Sequence, residues 1–140
     1  MKALTVRHPW AYMIAIGRKT IENRGRRTKY RGPLIIHASQ DLQEFSDFGV
    51  DVIPAIYAGS LGCAVAVVDL VDCVTVAELV QRSDPAARIG QECFSRGGEL
   101  GPICWVFQNI RRLRTPVHLR GMPGLFDVGD VAELLIRSQM

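Results

Sequence analysis

The segment Arg18-Lys19-Thr20-Ile21-Glu22-Asn23-Arg24-Gly25-Arg26-Arg27-Thr28-Lys29-Tyr30-Arg31 gathers seven cationic side chains around one carboxylate, Glu22. Such a cluster can neutralise phosphates or, through a lysine stripped of water, supply a base or nucleophile. Lys19 is the residue for that second role, because it follows the helix-ending Gly17 by two positions and so projects from a fixed backbone. Glu22 would act beside it, or accept a hydrogen bond from the exocyclic amine or ring N–H of a base. Three residues apart in an extended chain, Lys19 and Glu22 face opposite sides, so an irregular start or bulge is required if both serve one pocket. Arg24, Arg26, Arg27 and Lys29 would track phosphates, while Trp10 and Tyr30 offer faces for an unpaired base, worth ~1–3 kcal/mol per stacked base.

Each of these roles has a plainer competitor. Glu22 can be a simple ion pair with Lys19 or Arg24, Trp10 can anchor the first helix in the core, and the run of cations can be a solvated face. His8 and His37 can converge on the same region, where either could serve catalysis and His8 could contact nucleic acid, with a hydrogen-bonded structural role as the alternative for both. Ser39 is placed to cap a helix, whose free N–H groups also suit a phosphate. Trp105, within an apolar strand, is expected in the core.

Charge distribution favours the polyanion reading. The chain is only +3, with 17 basic and 14 acidic residues, yet the 18–31 segment alone carries +6. Arg111, Arg112, Arg114 and Arg120 form a second acid-free cluster, leaving six basic against thirteen acidic groups elsewhere. Clustered cations on an otherwise acidic body are the footprint of a polyanion site.

The elements that must position these groups are short. A chain of 140 residues, 48% hydrophobic, is expected to form a single domain over 1–140 with one core. No apolar run approaches a membrane span and no secretory leader precedes Trp10, so the expected location is the cytoplasm, with no membrane partner. Cys63, Cys73, Cys93 and Cys104 lack metal-ligand spacing, and no phosphate loop or dinucleotide fingerprint is present, so neither metal nor cofactor is expected. Alternation and turn residues predict strands over Ala3–Arg7, Thr20–Arg24, Leu34–Ala38, Gly62–Val74, Ile103–Ile110, Val117–Leu119 and Leu125–Val128. Helices are predicted from Ala11 to Ile16, Ser39 to Phe48 and Val76 to Arg82, and a last one capped by Asp130. Asp51–Gly59 reads as a helical turn broken by Pro54, and Ser83–Pro102 as a loop. Asp69 and Asp72, inside the Gly62–Val74 strand, need partners that the cationic segment can supply. Without a regular strand-helix alternation, this pattern argues for an α+β domain on a small curved sheet or barrel.

Three stretches carry a family resemblance: Arg7-His8-Pro9-Trp10-Ala11, Gly17-Arg18-Lys19-Thr20-Ile21-Glu22-Asn23-Arg24, and Tyr30-Arg31-Gly32-Pro33-Leu34-Ile35-Ile36-His37-Ala38-Ser39. With Gly101-Pro102-Ile103-Cys104-Trp105-Val106-Phe107 and Gly124-Leu125-Phe126-Asp127-Val128, they strongly resemble the ASCH family along nearly the whole chain. The resemblance implies a PUA-like small β-barrel of about six strands flanked by short helices, with a cleft beside Lys19, Glu22 and Arg24. It also implies a binding module for RNA, single-stranded nucleic acid or a modified nucleobase. The competing implication is a small hydrolase: some ASCH proteins resemble amidohydrolases that deacylate acetylcytidine with a lysine, a threonine and a glutamate. Lys19 matches the lysine, but Glu22 stands where that pattern has threonine, and Glu92 is the candidate for the third residue. A single-strand ribonuclease using Lys19, Glu22 and His8 is the remaining enzymatic reading.

Overall fold

The computed structural model describes residues 1–43, 54–81 and 101–140. Its elements run β1 (Lys2–Val6), α1 (Trp10–Ala15), β2 (Ile21–Arg24), β3 (Gly32–Ala38) and α2 (Ala55–Ala58), followed by β4 (Cys63–Thr75), α3 (Val76–Gln81), β5 (Ile103–His118), β6 (Leu125–Asp127) and α4 (Asp130–Arg137). The six strands form one sheet in the order β2-β5-β4-β3-β1-β6; β1 and β3 are parallel and every other pair is antiparallel.

Period-two alternation divides the strands between two cores. Leu4 and Val6 of β1, with Leu34 and Ile36 of β3, join Ala11 and Ile14 of α1 and Phe107 of β5 in one cluster. Ala3 and Ile35, one residue out of step, join Phe126 and Ile136 of α4 on the other side. Ile21 of β2 packs with Val74, Leu79, Cys104 and Val106 around α3. The sheet is strongly rolled. Four strand spacings separate β2 from β1, ~19 Å on a flat sheet, yet the Arg24 side chain of β2 reaches the Thr5 carbonyl of β1.

Bulges account for much of this curvature, since an extra residue in one strand bends it and increases its twist. Between Ile36 and His37 the register advances one residue on β3 but two on β4, so Val65 and Ala66 face the same core in succession. Farther along, β5 carries an extra residue at Asn109, whose φ is +49°. The strands predicted at Ile103–Ile110 and Val117–Leu119 are therefore one strand, Ile103–His118. Pro116, which cannot donate to the ladder, is accommodated where the register slips between Ala64 and Ala66, allowing the strand to pass through it.

Two helix boundaries also differ from expectation. Asp130 is the first residue of α4 and not its cap; Gly129 holds that position with no side-chain hydrogen bond. Pro54 precedes α2 instead of breaking it. Most of the helix expected from Ser39 to Phe48 and of the loop expected over Ser83–Pro102, with Glu92 and Cys93, lies outside the described residues. Cys63, Cys73 and Cys104 are buried free thiols, as their apolar contexts predict. No helix among the described residues is long and apolar enough to cross a membrane.

Candidate nucleic-acid interface

Rolling the sheet opens a cleft of about 970 Å³ at the ends of β1, β2, β3 and β5. Its walls carry Arg7, Arg24 and Arg120, the carboxylates Glu22 and Asp41, the indole of Trp10, and His37 and His118.

Glu22 and Arg24, two residues apart on β2, project on the same face. Glu22 is a clamped carboxylate: its Oε1 accepts from the Lys19 ammonium at 3.2 Å and its Oε2 from Arg24 Nη2 at 3.3 Å. Arg24 Nη2 also donates to the Thr5 carbonyl at 2.6 Å. The β6 strand covers β1 only as far as Leu4, so Thr5 lies beyond its last pairing. Arg7 pairs with Asp41 at 3.0 Å on the opposite lip, and Arg120 is on the rim.

Lys19 belongs to the support of this site, not to its wall. Its residue is 4% exposed, and the ammonium also donates to the Ile21 carbonyl. An irregular start brings Lys19 to Glu22 all the same: Lys19 lies before β2 begins, held through its own N–H on the Met13 carbonyl at 3.0 Å. Asn23 turns away from Glu22, donating to the Gly101 carbonyl at 3.2 Å. Gly101 must be glycine: its φ is +130°, and a Cβ there would lie 2.4 Å from the Arg24 carbonyl carbon.

His37 forms the floor of the cleft. Its Nε2 lies 2.9 Å from the Leu119 carbonyl and its Nδ1 3.0 Å from Thr5 Oγ1. Burial lowers its pKa, opposed by backbone hydrogen bonding at Gly62 and Leu119, while neighbouring His118 lowers it further. Gly121 packs against this pair; a Cβ there would meet His37 Cε1 at 2.8 Å and Thr5 Oγ1 at 2.9 Å.

Of the residues singled out from sequence, the cleft brings together Trp10, Glu22, Arg24, His37 and Ser39. Trp10 lines the cleft and also packs on the core beside α1, the anchoring role weighed for it. Ser39 Oγ accepts from the Asp41 N–H at 2.9 Å, in a tight turn at the lip. His8 lies elsewhere: it is 1% exposed, 2.8 Å from Ser60 Oγ and packed on Tyr57, and burial pushes its pKa down to about 4.

The distal half of the cationic segment also leaves the cleft. Arg27 donates to the Cys73 carbonyl at 2.7 Å and pairs with Glu78 at 3.4 Å. The Arg26 carbonyl accepts from the indole of Trp105 at 2.9 Å, seating that buried ring as expected, while the Arg26 and Lys29 residues are exposed. The Tyr30 hydroxyl donates to the Pro33 carbonyl, and its ring packs on the core. Asp72 faces Arg31 at 4.0 Å, but Asp69 takes its partners from β5, Arg111 at 2.8 Å and Asn109 at 3.0 Å, because the ladder sets those residues beside it. Sequence reading missed Thr5, Arg7, Gln40, Asp41, His118 and Gly121 as wall residues; only the position of Arg120 in a basic cluster hinted at that side.

No group of three or more His, Cys, Asp or Glu among the described residues is arranged to hold a metal ion. No curated protein matches the chain in sequence. In structure it is similar to the ASCH protein of Zymomonas mobilis: a serine-to-alanine variant of that protein superposes with a TM-score of 0.61 at 14% identity, over 98% of this chain and 94% of that one. The unsubstituted protein gives 0.59 at 13% identity over 98% and 93%, and a tyrosine-to-phenylalanine variant 0.61 at 14% over 98% and 96%. The six-stranded rolled sheet with four short described helices is thus the PUA-like arrangement of these structures. The ASCH domain model matches residues 4–116, from β1 through most of β5 and every strand that walls the cleft, and the chain belongs to the ASCH domain family.

Proposed function

We propose that the protein is a nucleic-acid-binding module that holds an unpaired nucleotide, most simply of RNA, in the cleft between Trp10, Arg24 and His37. The observation that carries this reading is the composition of one open cleft. About 970 Å³ is lined by three arginines for phosphate, an indole face for stacking and a fixed carboxylate, Glu22, for base edges. The volume is at the upper end of small-ligand sites, ~300–1,000 Å³, which suits a nucleotide with its flanking phosphates. A modified nucleobase is a ligand of the same kind for this pocket.

Binding is favoured over turnover by the placement of Lys19. Its ammonium is held by Glu22 and the Ile21 carbonyl beneath the wall, so attack on a bound ligand would require breaking both contacts. The test is the affinity of the purified protein for short single-stranded RNA across a salt series, with reaction products followed by mass spectrometry. Affinity falling steeply with salt, a slope smaller by about one in Arg120→Ala, and intact RNA support the proposal. Absence of binding at low salt overturns it, and a product that disappears in Lys19→Ala replaces it with a hydrolase.

A further inference from the structure

The Thr5–His37 pair carries an inference that rests on the nucleic-acid reading of the cleft and sharpens it. The Leu119 carbonyl can only accept a hydrogen bond, so the His37 nitrogen facing it at 2.9 Å, Nε2, bears a proton. Burial disfavours the imidazolium, and a neutral ring then leaves Nδ1 bare. The hydroxyl 3.0 Å from that bare nitrogen must supply the proton between them. Thr5 Oγ1 therefore has its one hydrogen committed to His37 and turns only lone pairs toward other partners. A side chain at position 121 would crowd this oxygen, with a Cβ at 2.9 Å; glycine there leaves it in the cleft wall.

We infer that Thr5, held as an acceptor by His37, selects a nucleobase bearing an exocyclic amine, such as cytosine, over its keto counterpart uracil. An amine projects two N–H groups beyond the ring and can reach an oxygen recessed in a wall. The imide N–H of uracil is set between two carbonyl oxygens, whose lone pairs would meet those of Thr5. Arg24 beside the pair complements the same choice, since a donor suits the ring nitrogen and carbonyl next to the cytosine amine.

The test compares oligocytidylate and oligouridylate of equal length, which share a backbone and a ring size. One net hydrogen bond corresponds to a preference for oligocytidylate of roughly five- to tenfold. Thr5→Val is expected to abolish that preference and Thr5→Ser to keep it. An oligomer of N4,N4-dimethylcytidylate, which retains the ring but has no N–H, is expected to bind the unsubstituted protein as weakly as oligouridylate does. This last comparison reads the same contact without any substitution in the fold. Equal affinity for the two homopolymers, or preference for oligouridylate, overturns the inference while leaving nucleic-acid binding in place. Binding of neither overturns both.

Discussion

Arg24 on β2 donates from Nη2 to the Thr5 carbonyl on β1 at 2.6 Å, tying together two strands that sit four places apart in the sheet. The contact closes one side of the cleft and, with the same nitrogen, holds Glu22 at 3.3 Å. A charged donor on a carbonyl contributes about 1.5–3 kcal/mol. Arg24→Met is expected to lower the unfolding free energy by that amount in urea titration and also to weaken RNA binding. Unchanged stability would mean that the strands are held together without it.

Gly101→Ala is expected to cost more. Its Cβ would lie 2.4 and 2.5 Å from the Arg24 carbonyl carbon and oxygen, and its φ of +130° is closed to alanine. Strain at such a backbone position is ~1–3 kcal/mol before any clash, so the total is expected to exceed ~3 kcal/mol in chemical denaturation. A loss below ~1 kcal/mol, within ordinary surface effects, would show that β2 can shift away without consequence.

Trp105→Phe separates ring burial from hydrogen bonding. The indole N–H donates to the Arg26 carbonyl at 2.9 Å while the ring packs on the main core. Phenylalanine keeps much of the ring contact and leaves that carbonyl without its donor. The expected loss is about 1–3 kcal/mol, and a thermal midpoint equal to that of the unsubstituted protein would count against the seating role assigned to the indole.

The two basic clusters are expected to behave differently in salt-dependent RNA binding. Arg120 stands on the cleft rim, whereas Arg27 is engaged with the Cys73 carbonyl and Glu78. Arg120→Ala should reduce the slope of log affinity against log salt by about one, and Arg27→Ala should leave it nearly unchanged while lowering stability. If Arg26→Ala with Arg27→Ala reduces the slope instead, the strand of nucleic acid runs over the β4–β5 face and not through the cleft.

Stability should fall as pH falls through the range set by His8. Burial holds its folded pKa near 4, below the ordinary value of 6.5. Between those values the unfolded chain takes up a proton that the folded one refuses, so unfolding becomes easier by about 1.4 kcal/mol per pH unit. The His8 contribution is fully present above pH 6.5 and is exhausted near pH 4. His37, whose pKa is also lowered by burial, adds in the same direction. His8→Gln retains a hydrogen-bonding group but does not titrate, so urea midpoints measured from pH 7 to 4 should show a shallower decline; an identical decline would remove His8 as a source.

Much of the fold is legible in local pattern. Alternation over Ala3–Arg7 and the apolar run Leu34–Ala38 mark β1 and β3, because successive side chains on a pleated strand point to opposite faces and β3 is covered on both. The Gly17 stop, with φ +80°, sets Lys19 just before β2, as the predicted helix end and the strand start at Thr20 imply. Local pattern fails at the β5 bulges, where Pro116 signals an end to a strand that the β4 ladder carries onward. It also fails for Arg27 and Tyr30, whose cationic and aromatic character suits nucleic acid but whose partners are Cys73, Glu78 and Pro33 of the protein itself.

By itself the sequence determined most of the strands and the concentration of positive charge between residues 18 and 31, and it offered the ion pairing of Glu22 with Lys19 and Arg24 as one of two readings, because these depend on neighbours a few residues apart. The wall of the cleft was decided only by tertiary structure. Thr5, His37, Leu119 and Gly121 come from three distant segments, with His37 standing 82 positions along the chain from the carbonyl that orients it. No spacing encodes that meeting, since it arises from the rolling of a bulged sheet until its far strands touch.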